Sequence, residues 1–163
     1  MEPTEPIVID DLKIGDAGWI IARHAEIYAA EEGYDITFEG LVAGILSDFL
    51  RTRNPARERA FIARRGQERL GCIFCVRQSD EVAKLRLFLV EPAARGTGLG
   101  RRLLEDCMEF ARRAGYRRMV LWTHESHRAA CELYRRIGWR MVSSAPARDF
   151  GQDVIDQHWE IDL

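Results

Sequence analysis

Glycines alternate at positions 96, 98 and 100 in Leu89-Val90-Glu91-Pro92-Ala93-Ala94-Arg95-Gly96-Thr97-Gly98-Leu99-Gly100-Arg101-Arg102-Leu103-Leu104. The stretch reads as an apolar strand, a stop at Pro92, a turn without side chains and an amphipathic helix. Such a turn leaves bare N–H groups at the positive end of a helix dipole, a setting for phosphate. A second set of chemistry-bearing residues, His124, Glu125 and His127, follows the apolar run Met119-Val120-Leu121-Trp122. These side chains can exchange protons near neutral pH. Glu31, Glu32 and Asp35 form an acidic connection near the start, and Tyr134 stands alone in a later helical block.

The glycine spacing excludes two common nucleotide loops. A Walker-type loop needs four residues between its glycines and then Lys-Ser/Thr, and neither is present. A dinucleotide fingerprint needs Gly-x-Gly-x-x-Gly, and Arg101 stands where its last glycine belongs. Arg95-x-x-Gly98-x-Gly100 at the start of a helix after a strand remains. Cys72-x-x-Cys75 looks like a redox or zinc pair, but its neighbours Leu70, Ile73, Phe74 and Val76 are strand-like. Positions three apart on a strand face opposite ways, and no second pair exists at zinc spacing. The expected state is buried, reduced cysteine and no metal.

The elements that must position these groups follow from periodicity. Ile7-Val8-Ile9 reads as a strand. Asp16 caps a helix over residues 17–30, with Ile20, His24 and Ile27 on one side. Thr37 caps a second helix with Leu41, Ile45 and Phe49 as its stripe. Strands follow at 60–63, 70–76 and 82–90, a three-stranded meander in which Leu85, Leu87 and Leu89 alternate with Lys84, Arg86 and Phe88. The helix after Gly98 presents Leu99, Leu103, Cys107 and Phe110 and ends at Gly115. The strand at 119–122, reached by a helical crossover, is expected parallel to its predecessor. Ser126 caps a helix with Ala130, Leu133 and Ile137 inward, ended by Gly138. Strands at 139–142 and 154–161 close the chain. The order is β-α-α-β-β-β-α-β-α-β-β: an α/β (α+β) single domain over residues 1–163, with a mixed central sheet covered by helices.

Bulk properties narrow the function classes. The 163 residues suffice for one domain with a real core. A formal net charge of −2 gives no electrostatic case for nucleic acid or an anionic membrane. The arginine pairs 101–102, 112–113, 117–118 and 135–136 are balanced by acids and read as solvated helix faces. No apolar run approaches the ~18 residues of a membrane span. The acidic, proline-bearing start is unlike a signal peptide, so the expected address is the cytoplasm.

With these residues in place, the chain resembles the GNAT superfamily of acyl-CoA-dependent N-acyltransferases. The resemblance rests on Leu89-Val90-x-Pro92-x-x-Arg95-Gly96-x-Gly98-x-Gly100-x-x-Leu103-Leu104 and on Ala130-x-x-x-Tyr134-x-x-x-Gly138-Trp139, in the expected order and separation. It implies that the strands ending at Val90 and Trp122 splay. The pantetheine arm of CoA would lie in the gap against Leu89 and Val90, near His127 and Ala130. The pyrophosphate would sit on the amides of Arg95, Gly96, Thr97, Gly98, Leu99, Gly100 and Arg101. A backbone N–H near Leu89 would polarise the thioester carbonyl. Tyr134 would protonate the departing thiolate. His127 departs from the asparagine common among relatives. The sequence leaves the general base open among His124, Glu125, His127 and the acids of the first connection. Glu32, Tyr34 and Asp35 are expected to meet the acceptor, with Tyr28 and Phe150 as apolar walls.

The implied activity is acetyl transfer from acetyl-CoA to a primary amine in a ternary complex. The chain also looks like the acetyltransferase half of bacterial MarR–GNAT fusion proteins, in Leu121-Trp122-Thr123-His124 and in the ending Trp159-Glu160-Ile161-Asp162-Leu163. The rival reading is a catalytically silent acyl-CoA sensor or partner protein. A homodimer through a sheet edge is compatible with the sequence, which contains nothing that requires it.

Overall fold

A computed structural model describes residues 4–163. The elements run β1 (Ile7–Asp10), α1 (Asp16–Glu32), α2 (Ile36–Thr52), β2 (Arg59–Arg65), β3 (Glu68–Arg77), β4 (Val82–Val90), a single 3-10 turn (Pro92–Ala94), α3 (Leu99–Arg113), β5 (Arg118–His124), α4 (Arg128–Ile137), β6 (Arg140–Asp149) and β7 (Gln152–Asp162). The strands form one sheet of seven in the order β1-β2-β3-β4-β5-β7-β6. Every neighbour is antiparallel except β4 and β5, which are joined through α3 and run parallel. This is the mixed central sheet expected from the sequence, with helices on both faces. α1 and α2 cover one face through Ile20, Ile27, Val42, Leu46 and Phe49, which pack on Ala60, Ile62, Cys72, Phe74 and Leu89. α3 and α4 cover the other through Leu103, Leu104, Cys107, Cys131 and Tyr134, against Ile73, Leu85, Met119, Leu121 and Trp159.

The feature that makes the site is a bulge in β4. Cys72 pairs with Leu89 but Phe74 pairs with Arg86, so Ile73 faces both Leu87 and Phe88. Leu87 takes φ 52°, a left-handed conformation that is costly for a branched side chain. The bulge reverses the strand's faces. Leu85 points to α3, whereas Leu87 and Leu89 point to α1 and α2. The expected common face for the three leucines is therefore corrected, because one extra residue flips every side chain beyond it. β4 leaves β5 ahead of the bulge: their pairing stops after Val82–Lys84 opposite Arg118–Val120. On its other side β4 stays close to β3, where a Cβ on Gly71 would come within 2.7 Å of the Leu89 carbonyl oxygen.

Other corrections are local. Gly15, not Asp16, is the N-cap of α1. The fully buried Asp16 carboxylate instead receives Arg64 and Arg69. Burial raises its pKa, but hydrogen bonds from Arg64, the Lys13 amide and Arg69 outweigh this and hold it at about 2. Asp35, not Thr37, caps α2, accepting the Thr37 amide at 3.0 Å. The buried stripe of α2 is Val42, Leu46 and Phe49; Leu41 and Ile45 turn toward a cavity instead. His127, not Ser126, is the N-cap position of α4, whose buried residues are Cys131 and Tyr134. β6 and β7 are longer than their apolar runs because they pair with each other along Arg140–Asp149. All cysteines are buried and free, Cys72 and Cys75 on opposite faces of β3.

Candidate functional site

The splay between β4 and β5 opens two adjacent cavities that share lining residues. The first, about 400 Å³, runs from the glycine turn along the end of β4 to α4. Gly96 and Gly98 take φ 75° and 83°, and a side chain on either would meet no atom within 4 Å. Glycine is needed there for conformation rather than for packing. The Thr97 hydroxyl donates to the Ala94 carbonyl at 2.6 Å and holds the turn. The first amide to close back onto it is that of Arg102, which donates to the Gly98 carbonyl at 3.1 Å. The amides of residues 96–101 have no acceptor among the described residues. Successive free N–H groups at a helix N-terminus form an anion-binding nest. This fits the pyrophosphate of CoA, and the unpaired edge of β4 at Leu89 and Val90 fits an amide-bearing arm.

Side chains contribute less to this groove. Arg95 reaches Glu31 at 2.6 Å, tying the turn to the end of α1. Arg101 pairs with Glu105 at 2.8 Å on the exposed face of α3. Leu99 is buried and offers only its backbone. Glu32, Phe88, His127 and Ala130 line the groove where it approaches the second cavity.

That second cavity, about 150 Å³, lies between α1, α2, β4 and β5. Its walls are Tyr28, Tyr34, Phe38, Trp122 and Phe150, with Lys84 and Arg86 on β4. Tyr28, Phe88, His127 and Ala130 line both cavities. Phe150 arrives on the tip of the β6–β7 hairpin, where Phe150 and Gly151 take φ 53° and 77°. That pair of left-handed residues makes a two-residue hairpin turn. Its tip is docked on the α1–α2 connection, where the Asp35 amide donates to the Phe150 carbonyl at 2.9 Å.

A buried polar chain runs along one wall. The His124 Nε2 lies 3.0 Å from Asp149 Oδ2 and 3.1 Å from Asp156 Oδ1. Its Nδ1 meets the Tyr34 hydroxyl, which also lies 2.9 Å from His127 Nε2. The His127 Nδ1 lies 3.1 Å from the Thr123 hydroxyl. One assignment satisfies Thr123, His127, Tyr34 and His124, and leaves the buried Asp156 Oδ1 without a donor among the described residues. Thr123 donates to His127 Nδ1, His127 Nε2–H to Tyr34, Tyr34 to His124 Nδ1, and His124 Nε2–H to Asp149. The chain is polarised toward the carboxylates. Burial, and then the charge of His124, pull the His127 pKa down to about 4, so it is neutral at pH 7. Burial, and then Glu32, push the Tyr34 phenol upward. Burial, and then Asp149, raise the Asp156 carboxyl.

Tyr134 is buried, lines the second cavity, and has no hydrogen bond to its hydroxyl among the described residues. Burial raises its pKa far above that of a free phenol, so it holds its proton. His24 also lines this cavity. Its Nδ1–H donates to the Ile20 carbonyl at 2.8 Å, and its buried Nε2 has no partner.

The fold thus gathers His124, His127, Tyr34 and Tyr134 around one cavity, with Glu32 at its mouth. It does not bring Glu125 there: that side chain is exposed and lines neither cavity. Asp35 lies outside as well, occupied as the cap of α2. Sequence reasoning missed Lys84, Arg86, Phe38, Thr123, Asp149 and Asp156, and gave Trp122 no role. Gly151, in a two-residue turn, was the available signal for the hairpin that delivers Asp149. No metal was expected, yet His124, Asp149 and Asp156 bring donor atoms within 4.8 Å of one another; His124 is hydrogen-bonded to Asp149, while the buried Asp156 Oδ1 has no hydrogen-bond partner among the described residues.

Comparisons with known proteins agree with this geometry. Residues 21–139 match the acetyltransferase (GNAT) family, and the chain belongs to it. It is 36% identical over 62 residues to MJ1207 of Methanocaldococcus jannaschii, described as an uncharacterized N-acetyltransferase, covering 38% of this chain and 27% of that one. It is 30% identical over 103 residues to the IAA acetyltransferase of Azospirillum brasilense, covering 63% and 66% respectively. The match thus spans about a quarter and just under two thirds of these curated relatives' lengths. Among solved structures, YncA of Salmonella typhimurium, determined with its cofactor acetyl-CoA, superposes with a TM-score of 0.73 at 19% identity, over 98% of this chain and 95% of that one. Among the described residues, no helix is long and apolar enough to cross a membrane.

Proposed function

We propose that the protein is an N-acetyltransferase that moves an acetyl group from acetyl-CoA to a primary amine by direct transfer in a ternary complex. The observation that carries this reading is that the two cavities are adjacent and share Tyr28, Phe88, His127 and Ala130 as lining. A thioester held in one and an amine held in the other come into contact there. Acetyl-CoA, when bound, supplies the acetyl group as an activated thioester. The amides of residues 96–101 hold the pyrophosphate, and the free edge of β4 at Leu89 and Val90 holds the arm. A backbone N–H near Leu89 faces the carbonyl oxygen and favours developing negative charge.

His127, neutral at pH 7 and shared by both cavities, accepts the amine's proton through Thr123. Tyr34 and His124 pass the charge toward Asp149 and Asp156. Tyr134 keeps a proton on its hydroxyl for the departing sulfur. Cys72, Cys107 and Cys131 add no competing nucleophile: burial raises their thiols, leaving them protonated. The likeness to the acetyltransferase half of MarR-type fusions says nothing about the acceptor.

The test is free-thiol release from acetyl-CoA with a panel of primary amines. Acceptor-dependent thiol with a matching amount of acetylated amine is expected. Tight acetyl-CoA binding without thiol release above hydrolysis for any amine would overturn the reading in favour of a silent sensor.

A further inference from the structure

The acceptor cavity is lined by two cations and by no carboxylate. Lys84 and Arg86 both precede the bulge on the face of β4 that looks toward α2. Both are half-buried, and neither has an acid within salt-bridge distance among the described residues. Other partly buried arginines differ: Arg23 has Glu91 at 2.6 Å, Arg53 has Asp11 at 2.9 Å and Arg64 has Asp10 at 3.0 Å, whereas Arg59 and Arg65 also lack a partner for their buried Nε among the described residues, but line neither cavity. Asp48, exposed on α2, reaches Arg86 only through space. Burial, followed by the charge of Arg86, lowers the Lys84 pKa. Two like charges held half out of water without a counter-ion destabilise the empty cavity, and an entering anion relieves both. Arginine offers a planar fork that matches a carboxylate, and lysine a point charge beside it.

We propose that Lys84 and Arg86 bind a carboxylate of the acceptor, so that the acceptor is an amino acid rather than a polyamine or a basic peptide. The proposal rests on the acetyl-transfer reading for the identity of the other end of the molecule. On that reading the amine lies near Leu89, roughly 10 Å along β4 from Arg86. The arginine side chain spans much of this distance. Phe38, Trp122 and Phe150 wall the space between and suit an apolar linking segment. Lys84 and Arg86 repel a second ammonium group at their end of the cavity, which disfavours spermidine-like and lysine-rich acceptors.

The experiment compares amines that differ only in the carboxylate: phenylalanine against phenylalaninamide and phenethylamine, and 5-aminopentanoate against pentylamine. At least one acid is expected to exceed its neutral counterpart by about tenfold or more in kcat/KM. In the double variant Lys84→Gln/Arg86→Gln this ratio is expected to fall toward one. Arg86→Lys, which keeps the charge, is expected to retain a ratio above one. Thiol release that is equally efficient with the neutral amines leaves the acetyl-transfer reading intact and overturns the carboxylate site. Calorimetric binding of the N-acetylated products with CoA present gives a readout without turnover. The acid product is expected to bind more tightly than its amide; equal or absent binding overturns the proposal even where no amine is acetylated.

Discussion

The two cavities are made of different material. The groove along the glycine turn is built from main chain: free amides at the start of α3 and the unpaired edge of β4. Its charged side chains are engaged elsewhere, Arg95 with Glu31 and Arg101 with Glu105. The cavity behind it is built from side chains contributed by α1, α2, β4, β5, α4 and the β6–β7 tip. The contrast has a physical meaning. A main-chain site recognises something invariant and is disturbed by added bulk or charge. A side-chain site recognises something particular and is disturbed by deletion.

This contrast breaks most directly at Gly98. Gly98→Glu puts a carboxylate into the nest at a left-handed position, and acetyl-CoA affinity is expected to fall by about 100-fold or more. Calorimetric titration with acetyl-CoA checks it, and affinity within about threefold of the parent would place the cofactor elsewhere. Next is Tyr134→Phe, which removes a proton donor and no bulk. A fall in kcat of about 100-fold is expected, with acetyl-CoA affinity within about twofold; unchanged kcat would end its assignment as the acid. Tyr34→Phe interrupts the chain between His124 and His127. Steady-state kinetics are expected to show kcat lower by about tenfold, with little change in acetyl-CoA KM; a loss confined to that KM would move Tyr34 to the cofactor side.

The burial of His24 makes a stability prediction. Burial lowers the His24 pKa from 6.5 to about 4. Between those values the unfolded chain binds a proton that the folded chain does not. The folded state therefore has its full stability above pH 6.5 and loses up to about 3 kcal/mol as pH falls to about 4. Urea unfolding at pH 7 and pH 4.5 is expected to show a smaller acid loss for His24→Leu than for the parent; parallel losses would mean that His24 is already protonated. The smallest effect belongs to Arg101→Ala. Acetyl-CoA affinity is expected within about twofold of the parent, because the guanidinium faces Glu105 and solvent.

The same contrast explains what the sequence revealed. Val82–Val90, the proline stop and the alternating glycines are contiguous, so a main-chain site leaves its whole signature in one stretch. The Tyr134 block, with Gly138 ending its helix, was equally local. The side-chain cavity left no such trace. His124 and Asp149 lie 25 residues apart and meet only because β7 inserts between β5 and β6. The extra residue at Leu87 breaks the alternation of β4 without any glycine or proline to announce it, and so conceals which face carries Lys84 and Arg86. Leu41 and Ile45 repeat at helical spacing like core residues, but line the cavity instead. Tyr34 read as an acceptor contact, since nothing local indicates that its hydroxyl lies between two histidines.

The central claim is that thioester and amine meet directly where the two cavities share their lining. Initial rates measured while acetyl-CoA and a working amine are varied together, with the intact mass of the protein after acetyl-CoA alone, test it most directly. Intersecting double-reciprocal lines and an unchanged mass are the expected result. Parallel lines, with an acetyl group retained on the protein in the absence of amine, would contradict it.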